Sequence, residues 1–498
     1  MRLNKLVCFG ILLCWLGSAD KIYGQKTPNI IYILCDDLGY GDVQYLNKSR
    51  GKIPTPNLDK LAQQSMTFTD AHSGSSVCTP TRYGVLTGRY AWRSHLQEGV
   101  LLGGREFEPL IDKNRLTVPR LLSQADYRSA AIGKWHLGFH FVDENGDSLA
   151  VKNKNYSSGV PVGTRIPDGP TTRGFDYYYG FHHAASMSTL IENDRVVGEV
   201  PPIDMLDLLS KRACNYISEQ SKQTKPFFLY LALNSPHSPI VPSAQWQGKS
   251  GVGDYGDFVM QTDDVVGQIM SALAANGLDE NTLVIFTSDN GCSYPAANGK
   301  KLESEFGHYA SAQFRGSKSD IWEGGHRVPF IVRWTGTIEA GTLNTETICS
   351  TNLMATCAEI TGLKIPVEAG EDSFSMLPLL LGKKVKRKYP IVSHSINGMF
   401  SIREGKWKLE LCPGSGGWTN PTDKIARKND MPEVQLYNIL TDEQERFNLY
   451  KKYPKVVAKL TDELMKIIKD GRSTPGKKLE NDVEIDVYKN GAMGSHKE

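Results

Sequence analysis

The chain has 498 residues, enough for one large and one small domain. Hydrophobic residues make up 40% and charged residues 22%, ordinary proportions for a soluble globular protein. With 57 Lys and Arg against 55 Asp and Glu, the formal net charge is +2, which excludes a global basic field for nucleic acid or an anionic membrane.

Arg2 and Lys5 precede a short apolar stretch, residues 6–16, and Gly17-Ser18-Ala19 then supplies small residues for cleavage. This pattern predicts a signal peptide over residues 1–24, too short in its apolar part to span a bilayer. No later stretch reads as a transmembrane helix. The expectation is an exported protein, periplasmic or secreted, with no membrane contact after signal removal. Two of nine cysteines leave with the signal, and the remaining seven cannot all pair within the chain. Cys35, Cys292, Cys349 and Cys357 lie in apolar segments and read as buried small hydrophobes.

Residues 29–35 form an apolar run rich in β-formers, the pattern of a buried parallel strand. Thr55-Pro56 opens a helix carrying Leu58, Leu61 and Ala62. Residues 128–132 predict a second strand, 203–221 a helix, 227–233 a third strand and 258–275 a helix. Further strands are expected at 282–287 and 328–334. Strands alternating with helices argue for an α/β domain with a mainly parallel sheet. The texture changes after about residue 375. A basic run at 383–388 reads as a solvated linker or hairpin surface. Short strands at 390–395, 399–402 and 407–411 and an amphipathic helix at 456–468 predict a smaller α+β domain. The division is therefore 25–375 and 376–498, with a polar, loosely held tail from residue 472. Asn47 and Asn155 open glycosylation sequons, relevant only in a eukaryotic host.

Open parallel sheets bind ligands beyond the carboxyl ends of their strands. Here the first strand runs into Asp36-Asp37 and the second into Gly133-Lys134-Trp135-His136. The third runs into Asn234 and His237, and the fourth into Asp289-Asn290-Gly291. Any one of these alone reads better as a turn or cap; four together point to one site. Asp36, Asp37, Asp289 and Asn290 are hard oxygen donors, suited to calcium or magnesium rather than zinc, and adjacent carboxylates favour calcium. Arg82, Lys134 and Lys318 are cations able to hold an anion. Pro80 lets a helix begin near Cys78, and a thiol at a helix N-terminus is expected to be acidified.

The stretch CTPTRYGVLTGR, residues 78–89, resembles the signature of the type I, formylglycine-dependent sulfatase family: Cys or Ser-x-Pro-x-Arg, then Leu-Thr-Gly-Arg. The similarity is to bacterial carbohydrate sulfatases of the arylsulfatase A-like group, and it extends through most of residues 28–380. It implies an alkaline-phosphatase-like α/β fold with a smaller C-terminal domain. It implies that a formylglycine-generating maturation enzyme oxidises Cys78, and that modified Cys78, Asp36, Asp37, Asp289 and Asn290 bind calcium. Arg82, Lys134 and His136 would support the formylglycine, while His237 and Lys318 would hold the sulfate and help the leaving oxygen depart. A hydrated aldehyde carries two hydroxyls on one carbon, so one attacks sulfur and the other lets the carbonyl re-form and expel sulfate.

The expected partner is a sulfated glycan, with 6-O- or 4-O-sulfated galactose or N-acetylgalactosamine as the sugar. A polar, aromatic-rich insert at 164–183 offers Arg173, Tyr177, Tyr178, Tyr179, His182 and His183 as a sugar subsite, and Ser393-His394-Ser395 with Arg403 as a further wall. Alternatives on the same fold are a phosphate or phosphonate ester hydrolase and a catalytically inactive glycan-binding protein. The full set of Cys78, Arg82, Lys134, His237 and Lys318 argues against the last.

Overall fold

The alternation along the first strand divides the molecule. β1 (Asn29–Asp36) is buried throughout, with Ile30, Tyr32 and Leu34 entering one apolar core and Ile31, Ile33 and Cys35 another. This is a computed structural model, and it describes residues 27–102, 107–385 and 389–489. The predicted signal peptide and part of the basic run lie outside the described residues.

β1 pairs in parallel with β8 (Phe227–Pro236) on one side and β9 (Thr282–Ser288) on the other. Beyond β8 the parallel run continues through β4 (Arg128–Lys134) and β5 (Tyr177–Phe181). β6 (Thr189–Glu192) and β7 (Arg195–Glu199) close that margin in antiparallel fashion. At the other margin β10 (Phe330–Trp334) runs antiparallel to β9, followed by β2 (Met66–Phe68) and β11 (Thr342–Asn344). A two-strand pair joins β3 (Ala71–His72) to β12 (Ile348–Cys349).

Helices α1 (Pro56–Gln63), α3 (Pro202–Gln220) and α4 (Gly253–Ala275) cover one face through residues such as Leu58, Leu209, Ile217 and Phe258. α2 (Cys78–Thr87) and α5 (Leu353–Thr361) cover the other through Val85, Leu86, Met354 and Cys357. The result is the helix-flanked, mainly parallel sheet that the alternation of elements implies. A second sheet, β13 (Ile391–His394), β14 (Phe400–Glu404), β15 (Trp407–Glu410) and β16 (Gln435–Asn438), is antiparallel throughout. α6 (Pro454–Lys469) packs Leu460, Leu464 and Ile467 against it, in a core shared with Tyr90 and Trp92.

Several expectations change. Residues 177–181 are not the wall of an insert but a strand, with Tyr178 buried in the core and Tyr177 bonded to Glu192 and Arg212. Asn47 is buried and donates to the carbonyls of Gly41 and Tyr309, so it is not available for glycosylation. All seven cysteines among the described residues are free. The tail is not loose over its described part. Asp482 pairs with Arg89, Asn481 accepts from Arg93, and Ser473 donates to Asp372.

Asp372 is the centre of that stitch. It accepts from Arg93 Nε and Nη2, both at 2.8 Å, from the Tyr90 N–H at 2.9 Å and from Ser473 Oγ at 2.6 Å. Asp372→Ala strands the buried Arg93 charge and is expected to cost ~3–5 kcal/mol, read as a lower urea midpoint. Burial pushes Asp372 up, but Arg93 and the hydrogen bonds outweigh it and hold the carboxyl below its usual range. Its contribution is present above the unfolded pKa of about 4 and fades as pH falls through the lowered folded value. The alanine variant should lack that share of the acid-side loss.

Candidate active site

The four neighbouring parallel strands β9, β1, β8 and β4 end on one rim, and each delivers polar side chains there. Asp36 and Asp37 leave β1, Lys134 closes β4, His237 follows β8, and Asp289 and Asn290 follow β9. Asp37 (φ 65°) and His136 (φ 56°) take left-handed backbone conformations just beyond their strands. Such strain persists where surrounding structure dictates it. Gly133 (φ 112°) is required for the same turn, because a Cβ there would stand 1.8 Å from the Ala232 carbonyl oxygen.

Cys78 is the first residue of α2, buried, with Asp36 and Asp289 ligand atoms within 4.8 Å of its sulfur. The expected acidification does not hold. Burial pushes the Cys78 thiol up, and the Lys134 and Lys318 charges offset this only in part. The site is otherwise a lattice of ion pairs. Lys134 Nζ donates to Asp36 Oδ2 at 2.7 Å and Lys318 Nζ to Asp37 Oδ1 at 2.5 Å. Arg82 grips Asp289 Oδ2 through Nε and Nη2, at 3.0 and 2.8 Å, and donates to the Lys134 carbonyl. Asn290 Nδ2 donates to Asp37 Oδ1 at 2.7 Å. Burial raises Asp36, but Lys134, His237 and Arg82 outweigh it and hold that carboxyl well below the usual range. Burial and the Asp36 charge push Asp289 the other way.

Among the described residues, two buried oxygens of the rim cluster have no hydrogen-bond donor: Asp36 Oδ1, with Arg82 3.6 Å away, and Asn290 Oδ1. Together with Asp37 and Asp289 they form a cluster of hard oxygen donors into which a calcium-sized ion fits chemically. A second cluster, His72, Glu323 and His326, does not suit a cation. Arg327 and Lys408 already lie 2.9 and 3.2 Å from Glu323, and the two histidines bond to each other.

The histidines fall into two groups. His136 Nε2 lies 3.2 Å from the Leu101 carbonyl, which can only accept, so Nδ1 is a buried, unpartnered acceptor. Leu101 also donates to Thr79 Oγ1, tying His136 to the turn at Cys78. His183 follows β5, its ring centroid 5.7 Å from that of His136. Its Nδ1 accepts from the Ala185 N–H, which leaves Nε2–H as a donor. Burial and Lys134 lower His183 to about 4. His237 is half-buried, with Nδ1 on the Ser238 carbonyl and Nε2 3.7 Å from Asp37 Oδ2.

Other expected residues lie elsewhere. Arg173 precedes β5, at the end of the sheet opposite the rim, and spends its guanidinium on the Ile111 carbonyl and Thr172 Oγ1. It leaves the substrate set. Arg403 is also remote in role, paired with Asp70 at 2.6 and 2.7 Å. Ser393 and Ser395 serve the backbone, through Ser73 O and the Met399 N–H. How Ser76 and Ser319 are used is not legible in local pattern. The Ser76 N–H donates to His394 O and its carbonyl accepts from the Ser319 N–H, which joins the Cys78 turn to the small sheet and to the Lys318 loop. Both links run through the backbone, so no side-chain signal marks them; the Ser319 hydroxyl is spent nearby, accepting from the Trp418 N–H and donating to Asp320 Oδ1.

A family profile described as Sulfatase matches residues 28–363. The chain belongs to the sulfatase family. It is therefore a sulfuric ester hydrolase. It is 30% identical over 503 residues to an N-acetylgalactosamine-6-O-sulfatase of Bacteroides thetaiotaomicron, covering 90% of this chain and 94% of that protein. It is 31% identical to human arylsulfatase A, over 87% of this chain and 85% of the relative. A solved structure from work on the metabolism of multiple glycosaminoglycans by Bacteroides thetaiotaomicron superposes with a TM-score of 0.75 at 28% identity, covering 89% and 99% of the two chains. Among the described residues of this sulfatase, no helix is long and apolar enough to cross a membrane.

Proposed function

We propose that this sulfatase hydrolyses a sulfate monoester on a carbohydrate, on 6-O- or 4-O-sulfated galactose or N-acetylgalactosamine units of host or algal glycans. The single observation that carries this reading is the convergence on Cys78 of three buried carboxylates and three cations, with two oxygens unpartnered. The sugar rests on the relatives, whose names include N-acetylgalactosamine-6-O-sulfatase. The signal sequence supports export, and Cys78 would meet its maturation enzyme before folding buries it.

Calcium would be held by Asp36, Asp37, Asp289, Asn290 and the modified Cys78. When bound it supplies positive charge against the sulfate oxygens, and the formylglycine supplies the oxygen nucleophile. Arg82, Lys134 and Lys318 balance the three carboxylates charge for charge, so a dication leaves a positive site for an anionic ester. Arg82 has little left to offer a sulfate, because Asp289 and the Lys134 carbonyl occupy it; it positions the carboxylate. Lys134 and Lys318 each have further N–H donors and can hold sulfate oxygens while paired with Asp36 and Asp37. His183 Nε2–H can donate to the same anion. The unpartnered His136 Nδ1 can accept a hydrogen bond and would orient a hydroxyl near the Cys78 turn. His237 would give the leaving oxygen its proton, a role supported by its place on the same rim, 3.7 Å from Asp37 Oδ2.

The decisive test is a panel of position-defined sulfated monosaccharides, with sulfate release measured alongside phosphate release from matched phosphate esters. Faster phosphate release would replace the reading with a phosphoesterase. Chelator-treated protein should regain thermal stability with calcium, by about 2.7 kcal/mol at a hundredfold excess over Kd. If zinc stabilises it more than calcium does, the oxygen cluster has been misassigned.

A further inference from the structure

Beside the Lys318 loop lies a cleft of about 580 Å³, a size that accommodates sugar residues. Ser317 and Cys292 line it, and the Lys318 N–H donates to the Cys292 carbonyl at 2.9 Å, so cleft and rim share one wall. The cleft carries Arg50, Arg315 and Arg446 against a single carboxylate, Glu303. In a chain of net charge +2 this is a local field. The Arg50 guanidinium lies 3.5 Å from the centroid of the Tyr309 ring, and Arg315 lies 3.5 Å over Trp322. Stacking fixes the planes and leaves edge N–H groups for an anion. Arg315 is partly committed, to the Glu445 carbonyl and the Tyr437 hydroxyl. Among the described residues the side chains of Arg50 and Arg446 make no hydrogen bond or ion pair. Tyr294, 38% exposed, adds an aromatic surface of the kind on which sugars stack.

We propose that this cleft binds a second anionic unit of the substrate chain, a sulfated or carboxylated sugar near the one that loses its sulfate. The inference rests on the carbohydrate reading above and extends it from a monosaccharide to a polyanionic chain. Guanidinium forks match sulfate and carboxylate edges, whereas a neutral sugar chain would cover the half-buried Arg50 and Arg315 without pairing their charge.

The test uses two probes, N-acetylgalactosamine 6-sulfate and a tetrasaccharide alternating it with glucuronate. In Arg50→Ala/Arg446→Ala, KM for the tetrasaccharide should rise about tenfold and lose part of its salt dependence, with kcat/KM for the monosaccharide unchanged. Arg446→Ala alone removes an exposed side chain without a hydrogen-bond partner, so its fold should be kept, and it should show a smaller rise in the same direction. An unchanged KM on the tetrasaccharide, or an equal loss on both probes, overturns the proposal. If the wild-type protein cleaves neither probe, N-acetylgalactosamine 6-sulfate leaves the proposed substrates, a failure separate from that of the cleft. Calorimetric binding of the tetrasaccharide then still decides the cleft: weaker binding by the double variant supports it, equal binding overturns it.

Discussion

Cys78→Ala is expected to fold normally and to release sulfate no faster than background, a loss of about 10⁶, the scale for deleting a covalent nucleophile. Folding should survive because the turn does not depend on the sulfur. Thr81 Oγ1 donates to Ser75 O at 3.1 Å and the Leu101 N–H to Thr79 Oγ1 at 3.3 Å. The packing loss is that of one small atom, about 1 kcal/mol. Cys78→Ser then asks what the residue becomes. Burial pushes the thiol up, so an unmodified Cys78 is protonated at neutral pH and a poor nucleophile. If the side chain acted as it stands, serine would keep part of the activity. If it must first become an aldehyde, serine fails in any host whose maturation enzyme accepts only cysteine. The mass of the peptide carrying residue 78 separates the cases. A thiol mass in fully active protein contradicts the formylglycine proposal, and undiminished turnover by the alanine variant removes Cys78 from the chemistry altogether.

The rim was legible in the sequence for one physical reason. A strand buried on both faces reads as an unbroken apolar run, and the first polar residues after it mark the end of the sheet. That holds for β1, β4, β8 and β9, which proved to be immediate neighbours. It fails for β5, whose tyrosines are polar enough to resemble a loop although Tyr178 is fully in the core. Arg173 was misplaced for the same reason: once β5 is a strand, residues before it belong to the opposite end of the sheet. Burial is the second blind spot. A helix start at Cys78 was readable, whereas the desolvation that overrides its effect on the thiol arises from residues distant in sequence. Pairings such as Arg82 with Asp289, 207 positions apart, lie equally beyond local pattern. The described part of the tail reads as polar and loose because its partners are distant in sequence, Asp372 by 101 positions, Arg93 by 388 and Arg89 by 393.

His237→Ala is expected to lower kcat on a sugar sulfate by about 10² to 10⁴, the usual worth of a general acid, and to spare nitrophenyl sulfate. A phenolate leaves without help, whereas a sugar alkoxide needs a proton as the bond to sulfur breaks. The geometry fixes which nitrogen is used. Nδ1 faces the Ser238 carbonyl, an acceptor, so the neutral ring carries its proton there and Nε2 is bare. Nε2 faces the site, 3.7 Å from Asp37 Oδ2, and becomes a donor only in the imidazolium form. Burial disfavours that form, while Asp36 and Asp37 favour it. Lys318 is the competitor, since its ammonium needs no prior protonation and is already seated on Asp37 at 2.5 Å. Equal losses on both substrates for His237→Ala, with a selective loss on the sugar ester for Lys318→Ala, would transfer the role to Lys318. Equal losses on both substrates in both variants would leave the two residues holding sulfate only, and the proton would have to come from a group other than either.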